Sequence, residues 1–282
     1  MTASINRRPT GFASGSATPS LAARLTRIVQ YRRILRLLVK RDLKVRYAGS
    51  ALGYLWTVLD PLLMSVVYWV VFTQLFKRNI GYEPYILFLV AGQLPWAWFN
   101  GGVSATARAL RSEAQMVRSS NVPRELWVLR VVCSKGIEYL FSLPVLAIFA
   151  LAYLKAPTWH LVLLPLAILM IFVLLMGIGL LLAPLTVLVR DVERIVPIFL
   201  RVMFYMSPVL YSVDAVVHRA PALRFVYAAN PMVGPLMLAR SAFFSQELRW
   251  HYVLSSAVIC VALFATGVWV FTRLERPVLK EI

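Results

Sequence analysis

Apolar residues dominate this chain in six long runs, which shorter polar or basic segments separate. Each run is close to the ~20 residues that an α-helix needs to cross the hydrocarbon core of a membrane. The pattern therefore predicts an all-α integral membrane fold with six transmembrane helices. Their expected bounds are roughly 54–76, 85–107, 127–153, 161–188, 195–213 and 252–272.

A different pattern precedes the first run. After Ser20, a candidate helix cap, apolar residues recur every three or four positions, and arginines occupy the other flanks. This spacing predicts an amphipathic helix over 20–46 that lies in the membrane interface. Residues 1–19 are rich in Ser, Thr, Arg and Gly without an apolar run, so we expect a disordered cytoplasmic tail and no signal peptide.

The segment 214–250, between the last two runs, is apolar in places but does not predict a seventh span. Arg219, Arg224 and Arg240 interrupt it, and several prolines and glycines break any long helix. Short re-entrant helices at the outer membrane surface fit this pattern, because non-helical backbone at that depth must be covered by protein or face water. We expect a gate in this region.

Composition and charge support a membrane location. The chain is 60% apolar, and its net charge of +18 favours an anionic partner, either a nucleic acid or a phospholipid surface. The apolar content favours the membrane, so we expect no nucleic-acid partner. Basic residues concentrate in the N-terminal tail, in 107–130, in 190–201 and at the C-terminus. This distribution predicts a multi-pass protein of the plasma membrane with both termini in the cytoplasm.

Catalytic and nucleotide-binding motifs are absent from the sequence. There is no Gly-x-x-x-x-Gly-Lys-(Ser/Thr) loop, no His-Glu-x-x-His pattern and no Gly-x-Ser-x-Gly elbow. Cys133 and Cys260 lie inside apolar runs without metal-site spacing. We therefore expect no catalytic residue, metal site or cofactor in this chain, and any energy for transport must come from another protein.

The loop 107–126 is the candidate for receiving that energy. Its apolar residues fall at helical spacing among charged ones, and a short amphipathic helix beneath a membrane can dock in a groove of a soluble protein. From the residues alone, a solvated loop fits equally well.

Several ordered motifs resemble a known family. They are Arg41-Asp42-Leu43-Lys44-Val45-Arg46-Tyr47 followed by Leu52-Gly53-Tyr54-Leu55-Trp56, then Val122-Pro123-Arg124-Glu125, Arg190-Asp191-Val192-Glu193-Arg194, Ser207-Pro208-Val209-Leu210-Tyr211 and Asn230-Pro231. Together they resemble ABC-2 type permeases that export polysaccharides, the membrane subunits of O-antigen, teichoic acid, capsule and galactan exporters. The motif sequences are most similar to those of actinobacterial galactan exporters. The resemblance also assigns 20–282 to the ABC-2 type transmembrane domain.

The resemblance implies a homodimer that works with two copies of an ATPase subunit, which binds ATP and magnesium. The implied substrate is a polysaccharide on a polyprenyl-diphosphate lipid, exported through a channel between the two permeases. Export of another lipid-linked glycan or of teichoic acid stays an alternative. So do a membrane-embedded glycan-modifying enzyme and a passive scaffold or channel.

The resemblance and the residue patterns together predict four sets of site residues. Coupling to the ATPase is assigned to Arg108, Leu110, Arg111, Glu113, Val117, Arg118, Arg190 and Asp191. Contact with anionic headgroups and the carrier diphosphate, or alternatively simple membrane anchoring, is assigned to Arg41, Lys44 and Arg46. The gate is assigned to Pro208, Asn230 and Pro231. A channel lining, or alternatively a lipid-facing or helix-packing surface, is assigned to Ser65, Trp69, Phe72, Thr73, Phe76, Phe204, Ser207 and Tyr211.

Overall fold

A computed structural model confirms the all-α prediction. It describes residues 21–46, 48–50, 52–75, 81–120 and 122–281, and this part of the chain contains helices and turns but no β-strand. Within these described residues, five helical segments are long and apolar enough to cross a membrane. They are Trp56–Leu75, Tyr85–Ala107, Glu125–Ala152, Trp159–Leu188 and Trp250–Glu275.

The helices follow the predicted order along the chain. The first half contains α1 (Leu21–Gln30), α2 (Arg32–Arg46), α3 (Trp56–Trp69), which continues as a π-helical stretch over Val70–Leu75, α4 (Tyr85–Ala107), α5 (Ala114–Ser119) and α6 (Glu125–Ala152). The second half contains α7 (Leu164–Leu188), α8 (Val192–Met206), α9 (Val213–Val217), α10 (Arg224–Ala229), α11 (Val233–Ser241) and α12 (Trp250–Glu281). The predicted interfacial segment is thus two helices, α1 and α2, that meet at Tyr31.

Helix α4 forms the centre of the bundle. It is apolar on all sides and buried along almost its whole length, as expected for a helix without a polar face. It packs against α3, α6, α7, α8 and α11. In contrast, α3 leaves Leu63 and Val67 exposed in the protomer, and the π-helical stretch after it leaves Leu75 exposed. The core therefore lies around α4 and α7, and α3 is at the periphery.

Helices α7 and α12 pack against each other over a long stretch, and glycines make this contact possible. A Cβ atom at Gly177 would lie 2.6 Å from the backbone nitrogen of Phe264, and Gly267 faces the backbone of Gly177 from the other helix. Small residues at a crossing let two membrane helices approach at backbone distance, which strengthens their packing.

The fifth predicted span differs from the helix in the structure. Helix α8 has 15 residues, about 22 Å at 1.5 Å per residue, which is shorter than the ~30 Å hydrocarbon core. It ends because Ser207 adopts an extended conformation before Pro208, and a residue preceding proline disfavours the helical region. Beyond it, 207–249 contains the short helices α9, α10 and α11. Their re-entrant position in a membrane stays a prediction, as does the count of six spans.

Candidate functional site

Charged side chains join α2, the α4–α5 turn and α6 at one end of the bundle, here called the α2/α5 end. Arg130 of α6 is buried, and its Nη1 donates to Oε1 of Glu113 at 3.0 Å and lies 3.3 Å from Oδ1 of Asp42. Arg41 of α2 also pairs with Glu113. Two carboxylates thus offset two guanidinium groups, and the network holds α2 against the bundle.

The predicted headgroup contacts lie along α2 and differ in their surroundings. Arg41 pairs with Glu113, and Arg46 pairs with Glu138 of α6. Lys135 also donates to Glu138, at 2.8 Å. Only the third predicted contact, Lys44, is exposed with no ion pair to the described residues. The carboxylates offset the positive charge of Arg41 and Arg46, and the role of all three in binding diphosphate stays a prediction.

A polar cavity of about 290 Å³ opens between α2, α3, α4 and α6. Two cationic and two anionic groups line it, together with aromatic rings. The indole N–H of Trp98 is buried there without a hydrogen-bond partner in the protein. The cationic groups donate hydrogen bonds, the carboxylates accept them, and the two charges balance. The cavity therefore suits a polar, uncharged ligand better than an anion. The charged and aromatic lining residues are Arg46, Trp56, Asp60, Trp98, Lys135, Glu138 and Tyr139.

The predicted coupling residues lie close together at the α2/α5 end, where Glu193 connects two loops. Nη1 of Arg111 donates to Oε2 of Glu193 at 2.8 Å, and Nε of Arg108 lies 3.9 Å from Oε1. Glu193 belongs to the first turn of α8, two residues after Asp191, and both Arg190 and Asp191 are exposed. The sequence analysis included Glu193 in the same motif but assigned it no role.

Two of the predicted coupling residues are buried in the protomer. Leu110 is 1% exposed and Val117 is 2% exposed, and both belong to the main hydrophobic core. Their side chains fasten this segment to the bundle. The exposed cations of the same segment are Arg108, Arg111 and Arg118, and Ser112, Gln115, Met116 and Ser119 are exposed beside them. These groups are available to a partner protein.

At the opposite end, the α9–α11 end, the two proline motifs contact each other through hydrogen bonds. Nδ2 of Asn230 donates to Oγ of Ser207 at 3.0 Å, and Oδ1 of Asn230 accepts from the backbone N–H of Met232 at 2.9 Å. The hydroxyl of Ser256 in α12 donates to the carbonyl of Asn230 at 3.2 Å. The predicted gate residues Pro208, Asn230 and Pro231 therefore lie together where α8 ends.

Arg240 of α11 lies beneath this junction and is completely buried. Its Nη1 donates to the carbonyl of Pro208 at 2.6 Å, and its Nη2 donates to the carbonyl of Val209. The same guanidinium pairs with Oε1 of Glu247 at 3.1 Å and lies 3.7 Å above the ring of Phe88. The sequence analysis treated Arg240 only as an interruption. An arginine within an otherwise apolar short helix was the signal that it needed a buried partner.

Burial and the opposite charge of the partner shift the pKa values of Arg240 and Glu247 in opposite directions. Removal from water raises the pKa of Glu247 above the ordinary carboxyl range, and the adjacent Arg240 opposes that rise. Burial also lowers the pKa of Arg240. The pair thus needs both members, since either charge alone would be buried without compensation.

The predicted lining residues lie where α3, α4 and α8 meet. Phe204 contacts Tyr68 of α3 and Trp96 of α4, with ring centroids 5.9 and 5.4 Å away. Ser65 and Ser207 are buried, and Ser65 donates to the carbonyl of Pro61 at 2.8 Å.

The remaining predicted lining residues are partly buried or fall outside the described chain. Trp69 and Phe72 pack against the core, and Oγ1 of Thr73 is buried without a partner. Tyr211 donates to the carbonyl of Tyr205 at 2.9 Å. Phe76 lies outside the described residues. Their function as a channel lining stays a prediction.

Replacing Asn230 by Ala should destabilise the α9–α11 end. The change leaves Oγ of Ser207 and the N–H of Met232 without their partner, and each buried polar group that loses its hydrogen bond costs about 1–3 kcal/mol. Thermal unfolding of the detergent-solubilised protein measures the loss. Asn100→Ala is the matched control, because Asn100 is exposed on α4 and its removal should change stability by less than ~0.5 kcal/mol. Equal melting temperatures for both variants would contradict the assignment.

Comparison with known proteins decides the family. A family model described as ABC-2 type transporter matches residues 33–244, which is more than half of the chain. The chain belongs to the ABC-2 type transporter family. The matched range includes every site residue predicted from the sequence, and it also includes Arg130, Glu193 and Arg240. The resemblance seen in the motifs is therefore confirmed at the level of the family.

Three relatives resemble this ABC-2 transporter chain over most of their length. The O-antigen export system permease protein RfbA of Myxococcus xanthus is 34% identical over 221 residues, which are 78% of this chain and 84% of that protein. A Klebsiella pneumoniae protein with the same description is 28% identical over 246 residues, 86% and 92% of the two chains. The polysialic acid transport protein KpsM of Escherichia coli is 21% identical over 236 residues, 80% and 90% of the two chains.

Proposed function

We propose that this chain is the permease subunit of an ATP-driven exporter that moves a polysaccharide, linked to polyprenyl diphosphate, out of the cytoplasm. The observation that supports this most is the 34% identity to an O-antigen export permease across 84% of that protein's length. The proposed glycan is a galactan, because the motifs are most similar to those of galactan exporters. The relative named for polysialic acid transport supports the broader class of polysaccharide cargo.

The proposed assembly is a homodimer in the plasma membrane, bound to two ATPase subunits. Both termini and the α2/α5 end lie in the cytoplasm, because basic residues concentrate there. Helix α8 and the following residues to 213 make the fifth span, and α9–α11 make the re-entrant gate on the outer side. The conduit runs between the two copies, beside α3 and α8.

ATP hydrolysis is transmitted through the exposed face of 108–119. The ion pair of Arg111 with Glu193 joins this segment to the first turn of α8. Movement of the segment therefore displaces α8, which ends at the Ser207–Asn230 hydrogen bond. Leu110 and Val117 anchor the segment in the core, and this lets it move α8 rather than slide past it. The structure thus supports a mechanical path from the ATPase surface to the gate.

Reconstitution in lipid vesicles tests this function. The purified chain alone should neither bind nor hydrolyse ATP, because its sequence has no phosphate-binding loop. With its ATPase it should make a lipid-linked glycan accessible to a membrane-impermeant glycosidase on the opposite side, and only when ATP is hydrolysed. An ATPase variant that binds but does not hydrolyse ATP is the control. Glycan passage without the ATPase would indicate a passive channel instead, and a covalently altered glycan would indicate an enzyme.

A further inference from the structure

Helix α8 carries two arginines on one face, Arg194 and Arg201. Seven residues are almost two turns of an α-helix, so these side chains lie nearly in line along its axis. Both are exposed in the protomer, and Arg190, just before the helix, is exposed as well. Tyr205, one further turn along, is also exposed. A stripe of three cations and one phenol therefore runs from the α2/α5 end along α8.

The stripe lies between two other faces of α8. One face packs into the core through Val196, Leu200 and Phe204. Another presents Ile195, Phe199 and Val202 as exposed apolar side chains, which suit contact with lipid or a second copy. Cationic side chains within a membrane helix are costly in hydrocarbon and normally face water, protein or an anionic ligand.

Neither arginine on the helix is neutralised within the described part of the chain. Arg194 and Arg201 form no ion pair there, whereas Arg41, Arg46 and Arg130 each pair with a carboxylate. Arg194 and Arg201 therefore keep their positive charge available to an anion, as does Lys44 of α2. The guanidinium groups of Arg41, Arg46 and Arg130 are instead already paired with carboxylates.

The position of the stripe fits a path along the membrane. Arg201 lies nine residues beyond Val192, about 14 Å along the helix axis at 1.5 Å per residue. Phe204, on the adjoining side of the helix, contacts Tyr68 of α3 with ring centroids 5.9 Å apart. The stripe thus adjoins the side of α8 that contacts α3, beside which the proposed conduit runs.

We propose that Arg194 and Arg201 bind the diphosphate of the lipid carrier in succession as it passes from the α2/α5 end into the membrane. The inference rests on the proposed function for its ligand, a diphosphate joined to a prenyl chain. The planar guanidinium fork donates two hydrogen bonds to one phosphate, so arginine holds this group more specifically than lysine does. Two sites seven residues apart let the anion move inward without being held by one tight pocket.

Binding of farnesyl diphosphate to the full chain in neutral detergent tests the inference. Native mass spectrometry should show a bound molecule, with inorganic pyrophosphate and farnesol each binding more weakly. Arg201→Gln and Arg194→Gln should each weaken binding about tenfold, the loss expected for one charged hydrogen-bonded contact. Arg201→Lys should lose less. Arg219→Gln is the matched control, since it removes an exposed arginine on the opposite end of the bundle.

The outcomes separate this inference from the proposed function. Equal affinity of the wild type, Arg194→Gln and Arg201→Gln overturns the inference, as does a loss of the same size in Arg219→Gln. Pyrophosphate binding as tightly as farnesyl diphosphate assigns the stripe to soluble anions and overturns the carrier proposal. The binding assay needs neither ATP nor transport. A wild type that binds farnesyl diphosphate at the stripe but moves no glycan in vesicles would refute the proposed function alone.

Discussion

Replacing Arg240 by Met should lower the free energy of unfolding by about 3–5 kcal/mol, the cost of breaking a buried ion pair by removing one partner. Glu247, 1% exposed, would keep a buried carboxylate without its counter-ion. The carbonyls of Pro208 and Val209 would also lose their donors at the point where α8 ends. Thermal unfolding of the solubilised protein, with the yield of monodisperse protein, measures the loss.

The double variant Arg240→Met, Glu247→Leu is the control for this prediction. It removes both charges and leaves only the two backbone carbonyls unpaired, so it should be more stable than Arg240→Met alone. If the double variant were the less stable of the two, the pair would not be the source of the loss. A single variant as stable as the wild type would mean that Arg240 does not hold the 207–211 segment.

Leu110→Asp should impair folding of the permease, whereas Arg118→Glu in the same segment should impair only its association with the ATPase. Leu110 is buried, so Asp there loses at least the ~2–5 kcal/mol of a Leu→Ala change and also buries a carboxylate. We expect little folded permease from this variant. Arg118 is exposed, and its charge reversal should leave the fold intact but reduce association with the ATPase.

Co-purification with a tagged ATPase distinguishes these two effects. Arg118→Glu should give normal amounts of permease with little bound ATPase, and Arg118→Lys, which keeps the charge, should bind as the wild type does. If Leu110→Asp gave well-folded permease that only failed to bind the ATPase, Leu110 would be part of the docking surface. Full ATPase binding by Arg118→Glu would place the docking surface elsewhere.

The amino-acid sequence alone determined the elements whose length is set by the membrane. The bounds of α4 agree with the predicted 85–107, and α6, α7 and α12 begin within three residues of their predicted starts. A helix in hydrocarbon needs a long apolar run and makes all its backbone hydrogen bonds internally. Such helices can therefore be recognised in the sequence without knowing which helices pack against them. The amphipathic pattern of 20–46 also predicted helix, and the structure has α1 and α2 there. Their position at a membrane surface stays a prediction.

Tertiary structure alone decided which apolar faces are buried and which charges are paired. Leu110, Val117 and Ser65 looked available from their spacing but face the protein interior. Arg240 and Glu247 meet across a turn, and Arg130 meets Glu113 from another helix. In a membrane protein the lipid-facing and core-facing positions are equally apolar, so hydropathy cannot tell them apart. Ion pairs between helices depend on how the helices cross, and that is settled only when the bundle is packed.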